Sequence, residues 1–187
     1  MLLCGVLLIE VEYARDVRRS ETMESGTVEE TGTFEQLFHR QHARLFGTLC
    51  LVTRNRWEAE ELMQEAFLKV WERWDRVQGH PDIAGYLYTT AFNLHRSRLR
   101  RMARAARRAV AGTPPADQLV GVEERHELLR ALRRLPRRQR TAVVLLDLVG
   151  LSSEEAGRLM HIRAVTTRVL ASQARASLRG LMGADHE

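Results

Sequence analysis

Lysine is almost missing from this chain: Lys69 is the only one, so nearly all the positive charge behind its net +5 is carried by arginine. Cysteine is scarce as well. Cys4 and Cys50 lie too far apart for any metal or redox spacing, which excludes a disulfide framework and a paired-cysteine zinc site and fits a reducing cytoplasm. There is no glycine-rich phosphate loop, no nucleophile elbow, and no spaced set of histidines and carboxylates. The nearest approach to a metal set is His39, His42 and Cys50, which share part of one helix face without a strong ligand from another element. No catalytic residue, metal or cofactor is therefore expected, and the chain reads as a non-enzyme. Long apolar runs are lacking too. Leu2 to Ile9 is short, has no basic leader and runs into Glu10 and Glu12, so it is neither a signal peptide nor a membrane span. Strand candidates and internal repeats are also wanting, which leaves an all-α fold.

What is present is helical punctuation. Residues 1–32 show no sustained period and read as a poorly ordered extension, with Met23 a possible later start. From Thr33 the pattern becomes regular. Thr33 to Gln36 is a capping box, and Phe34, Leu37, Phe38, Leu45, Leu49 and Val52 line one face of a helix reaching about Thr53. Asn55 with Glu58 caps a second helix through Trp74, with Met63, Ala66, Phe67, Val70 and Trp74 inward and Glu58, Glu61, Glu65, Lys69 and Glu72 on an acidic face. Gly79 to Asp82 is a loop, and Asp82 caps a third helix that continues into an arginine-rich stretch. Residues 109–122 hold two adjacent prolines and little periodicity, so they read as a linker. Beyond it come four helices: Glu123 to Leu135; one opened by Pro136 and ended by Gly150; a short one capped by the box Ser152 to Glu155; and, after His161, Ile162 and Arg163, a long one to about Leu181. The expected organisation is two small helical domains, 33–108 and 123–182, joined by a flexible linker.

The chemistry in this pattern is that of nucleic-acid binding. Between Arg96 and Arg108 stand seven arginines and no acid. A solvated basic face is the plain reading of such a run, but Tyr86, Tyr88 and Phe92 lie just upstream. Aromatic planes beside a basic track suit unstacked single-stranded bases. In the second domain the short capped helix, a three-residue turn and a long helix form a helix-turn-helix. The residues entering the second helix, Arg163, Thr166, Thr167 and Arg168, are then those that reach base edges and phosphates. Helical hairpins with similar caps also occur in proteins that bind no DNA.

Taken together, these residues resemble the sigma factors of bacterial RNA polymerase, of the small extracytoplasmic-function (ECF) subfamily of the sigma-70 family, over roughly Phe34 to Leu181. The run Glu58 to Trp71 is similar to the family's region 2.2. The resemblance implies that Glu61, Gln64, Glu65 and Phe67 form the polymerase-binding site, docking on the clamp helices of the largest subunit. Tyr86 to Arg101 resembles regions 2.3 and 2.4, which open and read the -10 promoter element. Tyr86, Tyr88, Asn93, Arg96, Arg98 and Arg100 are the contacts this implies, with Asn93 reading a base and the loop Gly79 to Gly85 covering a flipped one. Leu132 to Ile162 resembles region 4, the reader of the -35 element, and implies Arg163, Thr166, Thr167 and Arg168 as contacts. There are departures: Tyr86-Leu87 stands where the family has Trp-Leu, Thr90-Ala91 where it has Ile-Ala, and His161 where it has a turn glycine. The partners implied are core RNA polymerase, promoter DNA and an anti-sigma factor, without membrane insertion. Other functions fit parts of the pattern, namely a stand-alone helix-turn-helix regulator or a helical adaptor whose arginines bind RNA. Neither has a use for Glu61, Gln64 and Phe67 at that spacing.

Overall fold

The computed structural model describes residues 33–108 and 127–183. The extension 1–32 and the linker 109–122 anticipated from the sequence lie outside the described residues. Among those described, every regular element is helical.

Helix α1 (Phe34–Thr53) begins at the expected box: the Thr33 hydroxyl accepts from the Gln36 backbone N–H and the Gln36 side chain accepts from the Thr33 N–H, both at 3.3 Å. It ends on Arg54 in the left-handed region (φ 63°). Asn55 then caps α2 (Arg56–Trp71), its Oδ1 accepting from the Glu58 N–H at 3.1 Å. The sequence predicts one helix through Trp74, but the chain breaks after Trp71 and restarts as the short α3 (Trp74–Val77). Both tryptophan rings pack edge-on against Phe34, Trp71 at 4.8 Å and Trp74 at 5.4 Å between centroids. Asp82 opens α4 (Ile83–Arg108) by accepting from the Gly85 N–H at 2.7 Å. A Cβ on Gly85 would meet that carboxylate, so a larger residue here would make the Asp82 side chain shift.

The second part comprises α5 (Glu127–Arg134), α6 (Arg137–Val143), α7 (Ser153–Met160) and α8 (Ala164–Gly183). Pro136 precedes α6 as expected. Before Gly150, however, the helix widens into a π-helical turn, Val144–Leu148, with the Val149 N–H bonded to the Val144 carbonyl at 3.0 Å. Val144 and Leu145, adjacent in this turn, are both fully buried. The Ser152 capping box forms at the start of α7, and His161 ends that helix with φ 55°. A position where the backbone turns left-handed favours glycine, and histidine holds it here at a modest steric cost.

The two parts do not stand apart. One apolar cluster runs through Leu45, Leu49 and Val52 of α1, Leu62, Phe67 and Val70 of α2, and Leu87 and Phe92 of α4, and continues into Val144, Leu145, Ala156 and Leu159. A smaller cluster, Leu132, Leu135, Val143 and Ala174, joins α5, α6 and α8. Phe38, expected on the buried face of α1, is instead partly exposed and stacks on His42 at 4.9 Å.

Candidate nucleic-acid and polymerase interfaces

On α2 the buried stripe is Ala59, Leu62, Ala66, Phe67 and Val70. The opposite line, Trp57, Glu61, Gln64, Leu68 and Trp71, faces water. Phe67 was expected among the docking residues, but it is only 4% exposed and packs against the rings of Phe34 and Phe38, so it supports this surface from beneath. Trp57, Leu68 and Trp71 are 69%, 55% and 54% exposed. Leu68 and Trp71, with Phe34, Phe38, Met63 and Gln64, line an open groove of about 640 Å³ between α1 and α2. Large apolar side chains left in water beside polar ones mark a partner surface. The sequence reading missed them although their three- and four-residue steps were visible. The acidic face is less uniform than its pattern suggested. Glu61 and Glu65 pair with Arg98 at 2.6 and 3.7 Å, while Glu58 turns inward to His95 at 3.2 Å. The His95 N–H holds the Glu58 carboxyl below the usual carboxylate range, an effect that burial partly opposes.

Along α4 the expected DNA-reading residues part company. Asn93 is exposed, and its Oδ1 accepts from Arg96 Nη2 at 3.2 Å. Arg100, Arg101 and Arg104 are exposed. Partial burial, reinforced by the charge of Arg100, lowers the pKa of Arg96. Arg98 is held by its two glutamates rather than presented as a free cation. Tyr86 is half-buried with its hydroxyl accepting from Arg73 at 3.3 Å. Tyr88 is 5% exposed and belongs to the core, and burial pushes its phenol pKa up. A base cannot stack on a ring enclosed in this way, and of the two tyrosines only Tyr86 keeps part of its surface open. Asp82, Gly85, Tyr86 and Tyr88, with Arg44, Val149 and Arg158, line a cavity of about 470 Å³.

In the helix-turn-helix, α7 and α8 approach closely because residue 157 is glycine. A Cβ there would lie 2.9 Å from the Ile162 carbonyl oxygen. Thr167, expected at the DNA, is fully buried against this contact, with its hydroxyl 3.3 Å from the Arg163 carbonyl. Its helical phase points it at α7, which the sequence spacing alone did not reveal. Arg163 and Thr166 are exposed, and Arg168 donates to Ser153 Oγ at 2.8 Å and lies 3.4 Å from Glu154. Val165 and Val169, 60% and 49% exposed, stand one turn apart on the outer face of α8. Among the described residues no group of three or more His, Cys, Asp or Glu could hold a metal ion, and no helix is long and apolar enough to cross a membrane.

Comparison with known proteins agrees with this geometry. Residues 37–105 match the family Sigma-70 region 2, and residues 125–178 match Sigma-70, region 4. The chain is 30% identical over 151 residues to the ECF RNA polymerase sigma factor SigM of Mycobacterium tuberculosis, covering 80% of this chain and 77% of that one. It is 35% identical over 157 residues to the RNA polymerase sigma factor CarQ of Myxococcus xanthus, covering 80% and 89%. Its fold is similar to that of the sigma factor RpoE, solved in complex with the anti-sigma factor NepR from Bartonella quintana, with a TM-score of 0.65, 23% identity, and coverage of 81% of this chain and 98% of that one. Two helical regions matched in the right order, on a backbone of the same fold, place this chain among the ECF sigma factors of the sigma-70 family, which direct RNA polymerase in transcription.

Proposed function

We propose that this sigma factor docks on core RNA polymerase through the α1–α2 groove, reads and helps melt the -10 element with α4, and reads the -35 element with α8. The observation that carries the reading is an exposed Asn93 on a helix whose following turns present arginines and no acid. An Asn side chain offers one donor and one acceptor in fixed geometry, which suits a base edge, while arginines suit phosphate. On the docking side Gln64 supplies polar contact beside Leu68 and Trp71, and Glu61 and Glu65 are braced by Arg98. On α8, Arg163, Thr166 and Arg168 are assigned to DNA, and Val165 and Val169 offer apolar contact to thymine methyl groups. The two domains, 33–108 and 123–182, divide these tasks. The chain works in the cytoplasm as a binding factor without catalysis of its own. The sigma factor RpoE was solved with its anti-sigma factor NepR, and CnrH with the cytosolic domain of CnrY, which supports an anti-sigma partner here as well. Transcription in vitro with core polymerase and a genomic promoter library tests the reading. Promoter-specific transcripts that depend on the added chain are expected, and none above core enzyme alone would overturn it.

A further inference from the structure

The groove between α1 and α2 opens where the described chain begins. Phe34 lines it and directly follows Thr33, whose extended backbone (φ -71°, ψ 160°) is held by the capping box, so residues 1–32 join the molecule at the rim of the groove. Phe38, Leu68 and Trp71 stand exposed along it, with Met63 half-buried among them. The chain carries a second apolar feature of matching size. Leu2, Leu3, Val6, Leu7, Leu8 and Ile9 place six aliphatic side chains within eight residues. That run is too short to span a bilayer and gains by leaving water. The stretch from Glu10 to Gly32 then holds seven acidic residues against three arginines. An arm meant for DNA phosphate would carry the opposite sign, so this stretch suits a tether. Its 23 residues reach up to about 75 Å when extended, whereas the α1 wall of the groove, from Phe34 to His39, is about 8 Å long. The apolar run can therefore return to the groove from its own point of attachment, and closing so long a loop costs little more than closing one half its length.

We infer that Leu2–Ile9 is a tethered occupant of the α1–α2 groove, covering Phe38, Leu68 and Trp71 in the free factor and competing with core polymerase for them. The inference rests on the reading of this groove as the polymerase dock. A groove of about 640 Å³ has the size that encloses a small ligand, so it takes a few of the six aliphatic side chains rather than all of them. A flexible tether holds its segment at an effective concentration in the millimolar range. A short apolar segment with a Kd of about 0.1–1 mM then fills the groove about half to nine-tenths of the time, and a polymerase that needs the groove empty binds about two- to ten-fold more weakly. Polymerase still displaces the segment, because its surface is far larger than eight residues. What the tether changes is the concentration at which assembly begins, and it keeps an apolar surface from meeting unwanted partners meanwhile.

The test compares the full chain with a variant carrying Leu3→Asp and Leu7→Asp together, and with a chain that begins at Met23. Neither change touches a described helix. For the optical measurement Trp57, which is 69% exposed and does not line the groove, is replaced by Phe in all three proteins, leaving Trp71 as the most exposed indole. Acrylamide should quench the parent less than either variant. Affinity for core polymerase, measured with Trp57 in place, should be about two- to ten-fold higher for both variants than for the parent. Equal quenching in all three proteins would overturn the inference. Shielding of Trp71 that disappears on dilution of the parent would assign the groove to a second copy of the chain and overturn it as well. If both variants unmask Trp71 while polymerase affinity stays the same, the tethered occupant stands and the docking role of the groove falls.

Discussion

Replacing Gly157 by alanine sets two effects of opposite sign against each other. In a helix interior alanine is better than glycine by about 1 kcal/mol, because glycine loses more backbone freedom on folding. Against this, the new Cβ would sit 2.9 Å from the Ile162 carbonyl oxygen and 3.3 Å from both the Ala164 nitrogen and Thr167 Oγ1. Two of these three atoms are backbone of the tight turn, and Thr167 is fully buried, so none can swing away. Overpacking of this kind costs about 1–3 kcal/mol, and with the neighbours fixed the upper half of that range applies. The expected net loss is about 1–2 kcal/mol, a fall in Tm of roughly 2–8 °C for a unit of 150 residues or more. Gly180, within α8, has open space where a Cβ would stand, so Gly180→Ala should raise Tm by about 2–4 °C. Thermal denaturation followed by circular dichroism reads both variants side by side. If Gly157→Ala melts at or above the wild type, the close approach of α7 and α8 is not tight. If Gly180→Ala melts lower, the propensity term has been misjudged.

Three further outcomes are expected. Asn93→Ala should cost about 1–3 kcal/mol of holoenzyme affinity at one promoter position and relax preference there, whereas Arg100→Ala should weaken all sequences alike and lower the salt slope by about one; single-base promoter variants across a salt series distinguish the two. Gln64→Ala with Glu65→Arg should abolish co-elution with core polymerase at unchanged helix content, since both groups lie off the buried stripe of α2. The folded-state pKa of Glu58 is depressed, so the unfolded chain binds more protons, and the stability this group contributes is complete above the ordinary carboxylate range and is lost as pH falls through its lowered value. Urea midpoints measured down the acid limb should therefore fall less steeply in Glu58→Gln than in the wild type, and parallel curves would refute the linkage.

The helices were largely legible in the sequence because their ends carry side-chain chemistry. Thr33, Asn55 and Ser152 each cap the helix expected of them, and Asp82 closes onto Gly85. Less legible was which polar-looking positions turn inward. Thr167 and Tyr88 carry hydroxyls that suit a surface, and only the packing of α8 on α7, and of α4 on α1, decides that they are buried. Phe67 shows the reverse problem, since its place in a motif suggested contact while its helical phase put it in the core. The packing of Trp71 and Trp74 on Phe34 spans nearly forty residues, and a local period cannot carry that information. The sequence suggested two small helical domains joined by a linker, and did not disclose how they touch. The contacts between them, Arg140 to Val52 and His161 to Asn93, are made by single side chains with no recurring pattern.

The cluster that passes from Leu45 and Leu87 into Leu145 and Leu159 has a thermodynamic corollary. When two binding regions share one interior, their ligands are coupled whether or not the ligands touch. Anything that favours the separated arrangement at one region makes that arrangement less costly for the other, and the effect is reciprocal by necessity. A ligand that loosens this packing at one region would then raise affinity at the other, and the second ligand would return the effect by the same factor. A molecule that grips both regions while they are closed would lower both affinities together, acting as an antagonist of each without covering either surface.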